Sequence, residues 1–446
     1  MSERRIIGHK IIMVGALIVS VVALPFSVKI CHAAIIILTF SWLLEGNWRT
    51  KFSIVSQSLL LQLIIALFFI QLVGLAFAEN LAAGWFSLEK KIFFVLLPVV
   101  LATTSVKLER KDLKLVIGSF VIACFVGTVI CIVAIWQQTA LVMAGEARID
   151  PYLSGSSYFE LHGMQSNKWL LFSYTSLANG IGIHPTYFSL FLVFSVIWLL
   201  IEHPQLTSRL QKVSILFLLT YFLLFVVFLS SRIMILGLGV ILFFVFARSA
   251  LKKQKSSALL AMGTVLLFSA LLFLNPVTRY RSLQEINQST FQISPGKDYT
   301  NAAQIRVSLW WLAFQSLKNW DPVFGTGTGG AHNLIAATAN KMHITNIINS
   351  YDPHNQFLYT LLANGIPGLI LLILFLGFPV YFAWGQRDLL LLGLSFIVVL
   401  VCMTESALEL QKGIVFYAIF SGLLFFHRHS FQNISLNQKS LLRAGH

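Results

Sequence analysis

The sequence predicts an all-α integral membrane protein with about twelve transmembrane helices. Hydrophobic residues make up 57% of the 446 residues, charged residues make up only 11%, and the mean hydropathy is +0.80. A soluble domain carries roughly 25% charged residues, so a surface this poor in charge cannot be kept in water. The 38 phenylalanines, most of them in long apolar runs, lead to the same conclusion. A soluble globular protein is therefore excluded.

Twelve apolar runs approach the length of about 20 helical residues that crosses the hydrocarbon of a membrane. They lie near 11–27, 30–44, 58–77, 91–105, 115–136, 183–201, 213–230, 232–247, 258–275, 357–384, 389–403 and 413–427. The chain accordingly divides into N-terminal helices (1–136), a first outer loop (137–182), central helices (183–275), a large outer loop (276–356), C-terminal helices (357–427) and a tail (428–446).

Membrane topology explains the net charge of +15. If the N-terminus lies in the cytoplasm, the loops on that side hold most of the 32 basic residues and few of the 17 acidic ones. Lys and Arg retained in cytoplasmic loops orient membrane proteins. The sequence therefore predicts both termini in the cytoplasm and gives no argument for a nucleic-acid partner. The first apolar run lacks a small-residue cleavage site and is predicted as a span, not a signal peptide.

The two outer loops are too long to be simple connections, and loops longer than about 15 residues usually carry function. In the second, residues Asn301 to Leu317 are predicted to form an amphipathic helix, with Trp310 and Trp311 at the membrane interface. A flexible glycine-rich turn follows, and a second helical stretch covers about Leu334 to Asn349. Since the cytoplasmic connections are short and basic, any chemistry is expected on the outer face.

His354 is the first candidate for that chemistry. It follows Asp352-Pro353 and opens a span at the outer membrane surface, where an imidazole can act as a general base at neutral pH. A helix-capping or interfacial histidine is the alternative. The long loop that brings His354 to the start of a span beside other polar groups favours the functional interpretation.

Two arginines are the next candidates. Arg232 lies in a tight turn between two apolar spans, where an ionisable group indicates a function; an arginine snorkelling to the interface is the alternative. Arg306 precedes Trp310 by one helical turn, and alone it would be a solvated or cation–π residue. Together they place two guanidinium groups at one membrane surface, and guanidinium binds phosphate bidentately. That pair suits a lipid-linked diphosphate.

Further polar residues lie near outer span ends. Lys91 could add charge to the same phosphates, or anchor its span at the interface, and His184 could bind substrate or cap its helix. Glu405 and Glu409 are predicted on one helical face, where they could hold an arginine or contact acceptor hydroxyls; a solvated turn is the alternative.

Several other functions are disfavoured by the sequence. The segment Gly325 to Gly330 lacks the Gly-Lys-Ser/Thr ending of a P-loop. There is no HExxH motif, no clustered His/Cys set for zinc and no Asp-x-Asp pair for a sugar-nucleotide metal. The four cysteines lie in or beside spans without a CxxC pair. No span interior has the charged or Gly/Pro-broken pattern of a coupled transporter. No metal and no cofactor are expected.

The arrangement resembles the O-antigen ligase and polymerase superfamily of bacterial inner-membrane glycosyltransferases. The resemblance covers roughly residues 180–425 and rests on short motifs. These are Ser231-Arg232, Arg306 with Trp310-Trp311, Asp321-Pro322 through Gly325-Thr-Gly327, and above all His354-Asn-Gln-Phe-Leu-Tyr-Thr-Leu-Leu-Ala-Asn-Gly365-Ile-Pro-Gly368.

The resemblance implies a GT-C-like membrane enzyme that takes a glycan from undecaprenyl diphosphate on the periplasmic face of the inner membrane. In the ligases the acceptor is a sugar hydroxyl of the lipid A core, the anomeric configuration is inverted and no metal takes part. Carried over, His354 would be the general base or an orienter of the acceptor hydroxyl. Arg232 and Arg306 would bind the diphosphate, and Gln356 would orient donor or acceptor.

Four alternatives stay open. An O-antigen polymerase would use the same donor with a second lipid-linked glycan as acceptor, and a protein O-oligosaccharyltransferase would use Ser or Thr. A transporter of lipid-linked sugars would need polar residues at mid-membrane, whereas the candidates lie at the outer surface. A structural membrane protein would tolerate alanine at Arg232, Arg306 and His354. A ligase is ranked first and a polymerase second.

Overall fold

The computed structural model describes residues 3–144, 172–205, 207–253, 255–279, 293, 302–344 and 352–428, and every regular element within them is helical. The helices are, in chain order, α1 (Glu3–Ala23), α2 (Val28–Leu44), α3 (Trp48–Gln57), α4 (Leu59–Gly74), α5 (Leu81–Thr103), α6 (Arg110–Met143), α7 (Tyr174–Ala178), α8 (Pro185–Glu202), α9 (Arg209–Leu229), α10 (Arg232–Leu251), α11 (Lys255–Leu274), α12 (Pro276–Arg279), α13 (Ala302–Ser316), α14 (Ala331–Lys341), α15 (Gln356–Gln386), α16 (Leu389–Thr404) and α17 (Gln411–Gly422). The predicted all-α class is confirmed.

Each of the twelve predicted ranges overlaps one of these helices, and the last, 413–427, also includes most of the π-helical segment Leu423–Arg428 that follows α17. By length and composition, 7 of the described helices can cross a membrane, or 8 if α2 and α3, bent by 113°, are one span. Of the others, α11 and α16 have apolar segments of fewer than 18 residues, α17 has 12 residues, and α5 carries Glu89-Lys90-Lys91 in its first half. An integral membrane protein is therefore supported, whereas twelve spans and a GT-C-like fold stay predictions.

Helix α5 begins ten residues before the predicted range 91–105. The Asn80 side chain accepts a hydrogen bond from the backbone N–H of Ala83 at 3.0 Å, which caps the helix at Leu81. Lys91 consequently lies in the third turn of a helix and not at its start, and its predicted position at the mouth of a span stays a prediction. Its ammonium group therefore faces neighbouring helices.

The polar contacts of the bundle gather at two ends. At one end, Lys10 of α1 lies 2.7 Å from Glu109 and 2.9 Å from Asp112, before and within the first turn of α6. Glu45, after α2, accepts hydrogen bonds from the Thr104 hydroxyl and the Ser105 N–H. At the other end lie the start of α8 and the turn between α9 and α10. The chain thus alternates between two ends, as the sequence predicted; which end faces the periplasm stays a prediction.

The core of the bundle is aromatic and centres on α8. Of the span Pro185–Glu202, 89% is buried, as expected for a helix that is hydrophobic on all sides. Phe191 and Phe194 of this helix pack against Phe416 and Phe420 of α17, with ring centroids 4.6–5.6 Å apart. Such ring pairs stabilise a core beyond their buried area. The rigid α8 carries His184 at its N-terminal end.

The helices α13 and α14 have a hydrophobic core of their own. Leu309 and Leu312 of α13 pack with Ile335 and Ala339 of α14 and with Tyr359 at the start of α15. A helix is thus present at the position of the predicted amphipathic one, as Ala302–Ser316, although its apolar residues are not confined to one face, and the second stretch is present as Ala331–Lys341. Residues 345–349 of that second prediction lie outside the described residues. This small core fixes α13 against the first turns of α15.

The glycine-rich turn after α13 is packed, not flexible as predicted. The Thr328 hydroxyl donates to the Gln71 carbonyl at 2.6 Å, and the Thr326 N–H donates to the Leu362 carbonyl at 2.9 Å. Helix α15 is kinked at Gly365, which has φ 69° and ψ −171°. A Cβ there would contact the Val323 carbonyl oxygen, so only glycine permits this approach. The turn and the kink lock together and position the N-terminal part of α15.

Candidate active site

The carboxylate of Glu405 is the centre of the site. Its Oε1 accepts a hydrogen bond from Nη2 of Arg306 at 2.7 Å, and its Oε2 lies 2.9 Å from Nδ1 of His354. The three side chains come from the end of α16, from α13 and from the start of α15. Glu405 is only 5% exposed, and a buried carboxylate requires partners of this kind. Two residues that the sequence singled out separately are thus bridged by a third.

His354 is held in an unusual backbone conformation. Its φ is 45°, in the left-handed region, which costs energy in residues other than glycine and is concentrated at functional sites. The Asp352 carboxylate accepts the His354 N–H at 2.9 Å and the Ser406 hydroxyl at 2.5 Å. Asn355 then caps α15 by accepting the Phe357 and Leu358 N–H groups. These contacts fix the position of the imidazole relative to Glu405.

Arg306 is positioned by the helix that the tryptophans anchor. Trp310, one turn further along α13, donates its indole N–H to the Pro353 carbonyl at 2.8 Å. This bond ties α13 to the residue directly before His354. The Arg306 side chain is 24% exposed, so it is partly desolvated while still reachable by a substrate.

Arg232 is the first residue of α10 and lies in the tight turn that the sequence predicted. Ser230, with φ 50°, ends α9, and its hydroxyl lies 2.7 Å from that of Thr278. The Ser231 hydroxyl is 3.5 Å from that of Thr186 in α8. The turn is therefore fixed to neighbouring helices, which aims the guanidinium of Arg232 from a rigid support.

A cavity of about 280 Å³ connects these groups. Its polar lining includes Arg232, Arg306 and Glu405, and its apolar lining includes Ile233 and Leu236 of α10. Both arginines therefore face one cavity next to the carboxylate that holds His354. The dimensions approach those of small-ligand sites. An anionic group bound here would have two cations on one side and an apolar helix surface on the other.

The charge of Glu405 determines the tautomer of His354. Burial alone would raise the pKa of the Glu405 carboxyl, but the hydrogen bond from His354 and the charge of Arg306 outweigh it and lower the pKa to about 2. An ionised carboxylate only accepts hydrogen bonds, so Nδ1 of His354 carries the proton. In a neutral ring, Nε2 then has the free lone pair. Because the His354 side chain is 32% exposed, this nitrogen belongs to a ring that a substrate can reach.

Lys91 and Gln356 belong to a second, more deeply buried cluster around Glu409. The Lys91 ammonium lies 2.7 Å from Oε1 of Glu409, and the Gln356 amide N–H donates to the same oxygen at 3.2 Å. The Gln356 carbonyl accepts the Leu408 N–H at 2.7 Å, and the Ser87 hydroxyl donates to Oε2 of Glu409 at 3.3 Å. Among the described residues that line the arginine cavity, neither Lys91 nor Gln356 is found. Their predicted part in substrate binding stays a prediction.

Glu405 and Glu409 do not share a helical face, contrary to the sequence prediction. Helix α16 ends at Thr404, Glu405 is extended with φ −147° and ψ 149°, and Glu409 lies in a short 3-10 turn. Glu405 contacts Arg306 and His354, whereas Glu409 contacts Lys91 and Gln356. The five residues from Glu405 to Glu409 thereby connect the arginine cavity to the Lys91 cluster.

His184 caps α8 and lies at the edge of the site. Its Nδ1 accepts the Thr186 N–H at 3.4 Å, and its ring is in edge contact with Tyr174, a residue that lines the arginine cavity. Capping, the alternative raised from the sequence, is therefore present, and substrate binding by His184 stays a prediction.

Asp352 and Ser406 support the site and were missed by sequence reasoning. The sequence Asp352-Pro353-His354 contains the available signal, because an Asp side chain often bonds to the backbone N–H two residues later. For Ser406 no local signal exists, since its partner lies 54 positions earlier in the chain. Among the described residues, no group of three His, Cys, Asp or Glu could hold a metal ion. The predicted absence of a metal requirement stays a prediction.

We expect Glu405→Gln to remove a pH-dependent contribution to stability. The folded-state pKa of about 2 lies below the ordinary value of 4.5. The stabilisation is therefore fully present above pH 4.5 and is lost as the pH falls towards 2. Acid unfolding of the purified protein should show a difference in stability between wild type and Glu405→Gln that shrinks across this window. Glu79→Gln, at an exposed carboxyl, is the control; a difference that is independent of pH would contradict the assignment.

The family model of the O-antigen ligases matches residues 215–373. No curated protein matches the chain. The matched range includes Arg232, Arg306 and His354, and it ends before Glu405 and Glu409. The resemblance drawn from the sequence is thereby confirmed for this part of the chain: residues 215–373 match the O-antigen ligase family model.

Proposed function

We propose that the protein is an O-antigen ligase. It transfers a glycan from undecaprenyl diphosphate to a sugar hydroxyl of the lipid A core, on the periplasmic face of the bacterial inner membrane. The observation that carries the proposal is the joint anchoring of Arg306 and His354 on Glu405, beside a cavity that Arg232 also lines. The family domain supports glycosyl transfer of the ligase or polymerase type.

In the proposed reaction, Nε2 of His354 removes the proton of the acceptor hydroxyl. The acceptor oxygen attacks the anomeric carbon of the donor sugar from the face opposite the diphosphate. The bond between that carbon and the phosphate oxygen breaks, and undecaprenyl diphosphate leaves with the bonding electrons. Attack from the opposite face inverts the anomeric configuration. The imidazolium that forms is stabilised by the Glu405 carboxylate, which already binds Nδ1.

The arginines act on the leaving group. Guanidinium forks bind phosphate oxygens bidentately and remain charged at any physiological pH. Arg232 and Arg306 stabilise the negative charge that develops on the diphosphate as the sugar leaves. The apolar lining contributed by Ile233 and Leu236 offers a path for the first isoprene units of the lipid. Positioning, one base and two cations are enough because a diphosphate is a good leaving group.

A reconstituted transfer assay tests the proposal. Full-length protein receives undecaprenyl-diphosphate glycan with lipid A core, or without a second acceptor, and with or without EDTA. Glycan attached to the core in EDTA supports a metal-independent ligase. Longer lipid-linked chains in the absence of core would make the protein a polymerase, and loss of transfer in EDTA would contradict the proposed chemistry. No transfer with either acceptor would reject both enzymes.

We expect Arg232→Lys and Arg306→Lys to weaken use of the donor while leaving the protein folded. Lysine retains the charge but not the bidentate fork, and a hydrogen bond to a charged group contributes about 1.5–3 kcal/mol. Each variant should therefore lose about tenfold or more in kcat/KM for the donor. Arg209→Lys, at an exposed position outside the site, is the matched control. Unchanged kinetics in both site variants would exclude the arginines from diphosphate binding.

A further inference from the structure

A second cavity, of about 470 Å³, lies at the end of the bundle opposite the candidate active site. Helix α10 starts at Arg232 in the site and passes Arg248 beside this cavity. At 1.5 Å per residue these positions are about 24 Å apart. Helix α16 runs the other way, from Leu389 beside the cavity to Thr404 next to Glu405. The two sites are thus separated by roughly the thickness of the membrane hydrocarbon, about 30 Å.

The cavity is cationic. Arg248 and Lys252 line it from the end of α10, and Arg387 lines it from the turn between α15 and α16. Of the described residues that line it, none is acidic. Asp388, which follows Arg387 in the sequence, caps α16 by accepting the Leu390 and Leu391 N–H groups at 3.0 and 3.2 Å. Three cations therefore converge on a space at the membrane boundary.

An apolar cavity of about 290 Å³ continues from the cationic one towards the middle of the bundle. The two share Phe244, Trp384, Leu389 and Leu392 as lining residues. Every described residue that lines the second cavity is apolar. The cationic cavity is thus continuous with an apolar groove, which is the second cavity. An amphipathic ligand requires both parts.

The apolar groove lies between helices α8, α10, α15 and α16. Gly393 of α16 lies so near α8 that a Cβ would be 3.2 Å from the Ile197 side chain, so α8 forms the floor. Val240 of α10 is 46% exposed and Trp384 of α15 is 67% exposed, and both line the groove. Exposed Trp at such a position is typical of the membrane interface. The groove therefore opens sideways to the lipid.

We propose that the two cavities form a binding site for one anionic diacyl phospholipid of the bilayer. The phosphate group binds Arg248, Lys252 and Arg387, and the acyl chains occupy the apolar groove. Basic pockets between transmembrane helices bind anionic lipid head groups in this way. The charge complementarity favours an anionic over a zwitterionic lipid. The apolar groove favours a lipid over free phosphate, which would leave it empty.

Native mass spectrometry of the full-length protein in detergent tests the site. The protein is titrated with dioleoyl phosphatidylglycerol and, separately, with dioleoyl phosphatidylcholine. We expect one phosphatidylglycerol to be retained in preference to phosphatidylcholine. Each basic group near an anionic lipid contributes about fivefold in affinity, so Arg248→Gln/Arg387→Gln should weaken retention about 25-fold. Lys253→Gln is the matched control, because Lys253 is an exposed neighbour outside the cavity lining.

A second variant separates the groove from the charges. Val240→Trp fills the groove without altering the net charge, and it should also weaken phosphatidylglycerol retention. If the double arginine variant does not fold, this variant alone tests whether the lipid occupies the groove. Equal retention of both lipids would overturn the proposal, because the bound lipid would then be ordinary annular lipid. An equal loss of phosphatidylglycerol retention in Lys253→Gln and in the arginine variant would overturn it for the same reason. Displacement of the lipid by inorganic phosphate would also overturn it, because the groove would then contribute nothing.

Discussion

Replacing His354 with alanine is expected to lower kcat for glycan transfer by about 10²–10⁴-fold, the usual contribution of a positioned general base. The imidazole is the only part of the proposed machinery that accepts the acceptor proton. Its Nδ1 is bound to Glu405 at 2.9 Å, so removing the ring also leaves one oxygen of a buried carboxylate without that partner. KM for the donor should change little, since Arg232 and Arg306 remain in place. Transfer of labelled glycan by purified protein measures both constants.

The chain offers a matched control for this change. His343 is exposed, has φ 55° and lies in the same outer segment, so His343→Ala makes the same substitution in a similar backbone conformation without touching the site. It should retain wild-type kinetics. Imidazole added to His354→Ala should restore part of the activity if the ring acts as a base. Activity in His354→Ala above about a tenth of wild type would remove His354 from the chemistry.

Breaking the Lys91–Glu409 pair is expected to have the largest effect on stability. Both side chains are nearly fully buried, 5% and 6% exposed, and losing one partner of a buried ion pair costs about 3–5 kcal/mol because the other charge is stranded. Lys91→Met and Glu409→Gln should each destabilise the protein by this amount. The double variant should lose far less than the sum, since no buried charge is left. Unfolding in mixed micelles of increasing denaturing detergent gives the four free energies of the cycle.

An exposed pair provides the comparison. Lys111 and Glu109 lie 2.9 Å apart but are 74% and 51% exposed, and an exposed pair contributes at most about 1 kcal/mol. Lys111→Met should therefore have little effect. If the Lys91 and Glu409 effects were simply additive, the two groups would not interact energetically, and the buried cluster would have no part in fixing the segment between α16 and α17.

The sequence predicts the apolar helices well because crossing a membrane imposes a strong and local pattern on composition. It also identifies His354, Arg232 and Arg306, because polar residues are conspicuous where apolar spans end. The pairing of these residues is harder to predict, although the sequence indicates Glu405 as a residue that could hold an arginine. Glu405 comes 99 positions after Arg306 and 51 after His354, and no local pattern encodes such a pairing.

The errors have the same physical origin. The predicted range 91–105 begins at Lys91 because hydropathy windows end at charged residues, whereas capping by Asn80 starts the helix ten residues earlier. The glycine-rich turn looked flexible because glycine permits many conformations, but here Gly365 permits one close approach between two backbones. In both cases the local structure depends on a contact that composition alone does not predict.

The buried contact between Ser87 and Glu409 joins residues 322 positions apart, and the Lys91 pair beside it has a similar separation. During synthesis the first five helices therefore enter the membrane long before the carboxylate that neutralises Lys91 has been made. Until α17 is in place, a lysine of α5 lacks that counter-ion. The segment directly before α17 thus supplies the charge that completes this buried cluster. A chain that stops before residue 409 contains a buried lysine without the carboxylate that neutralises it in the full sequence.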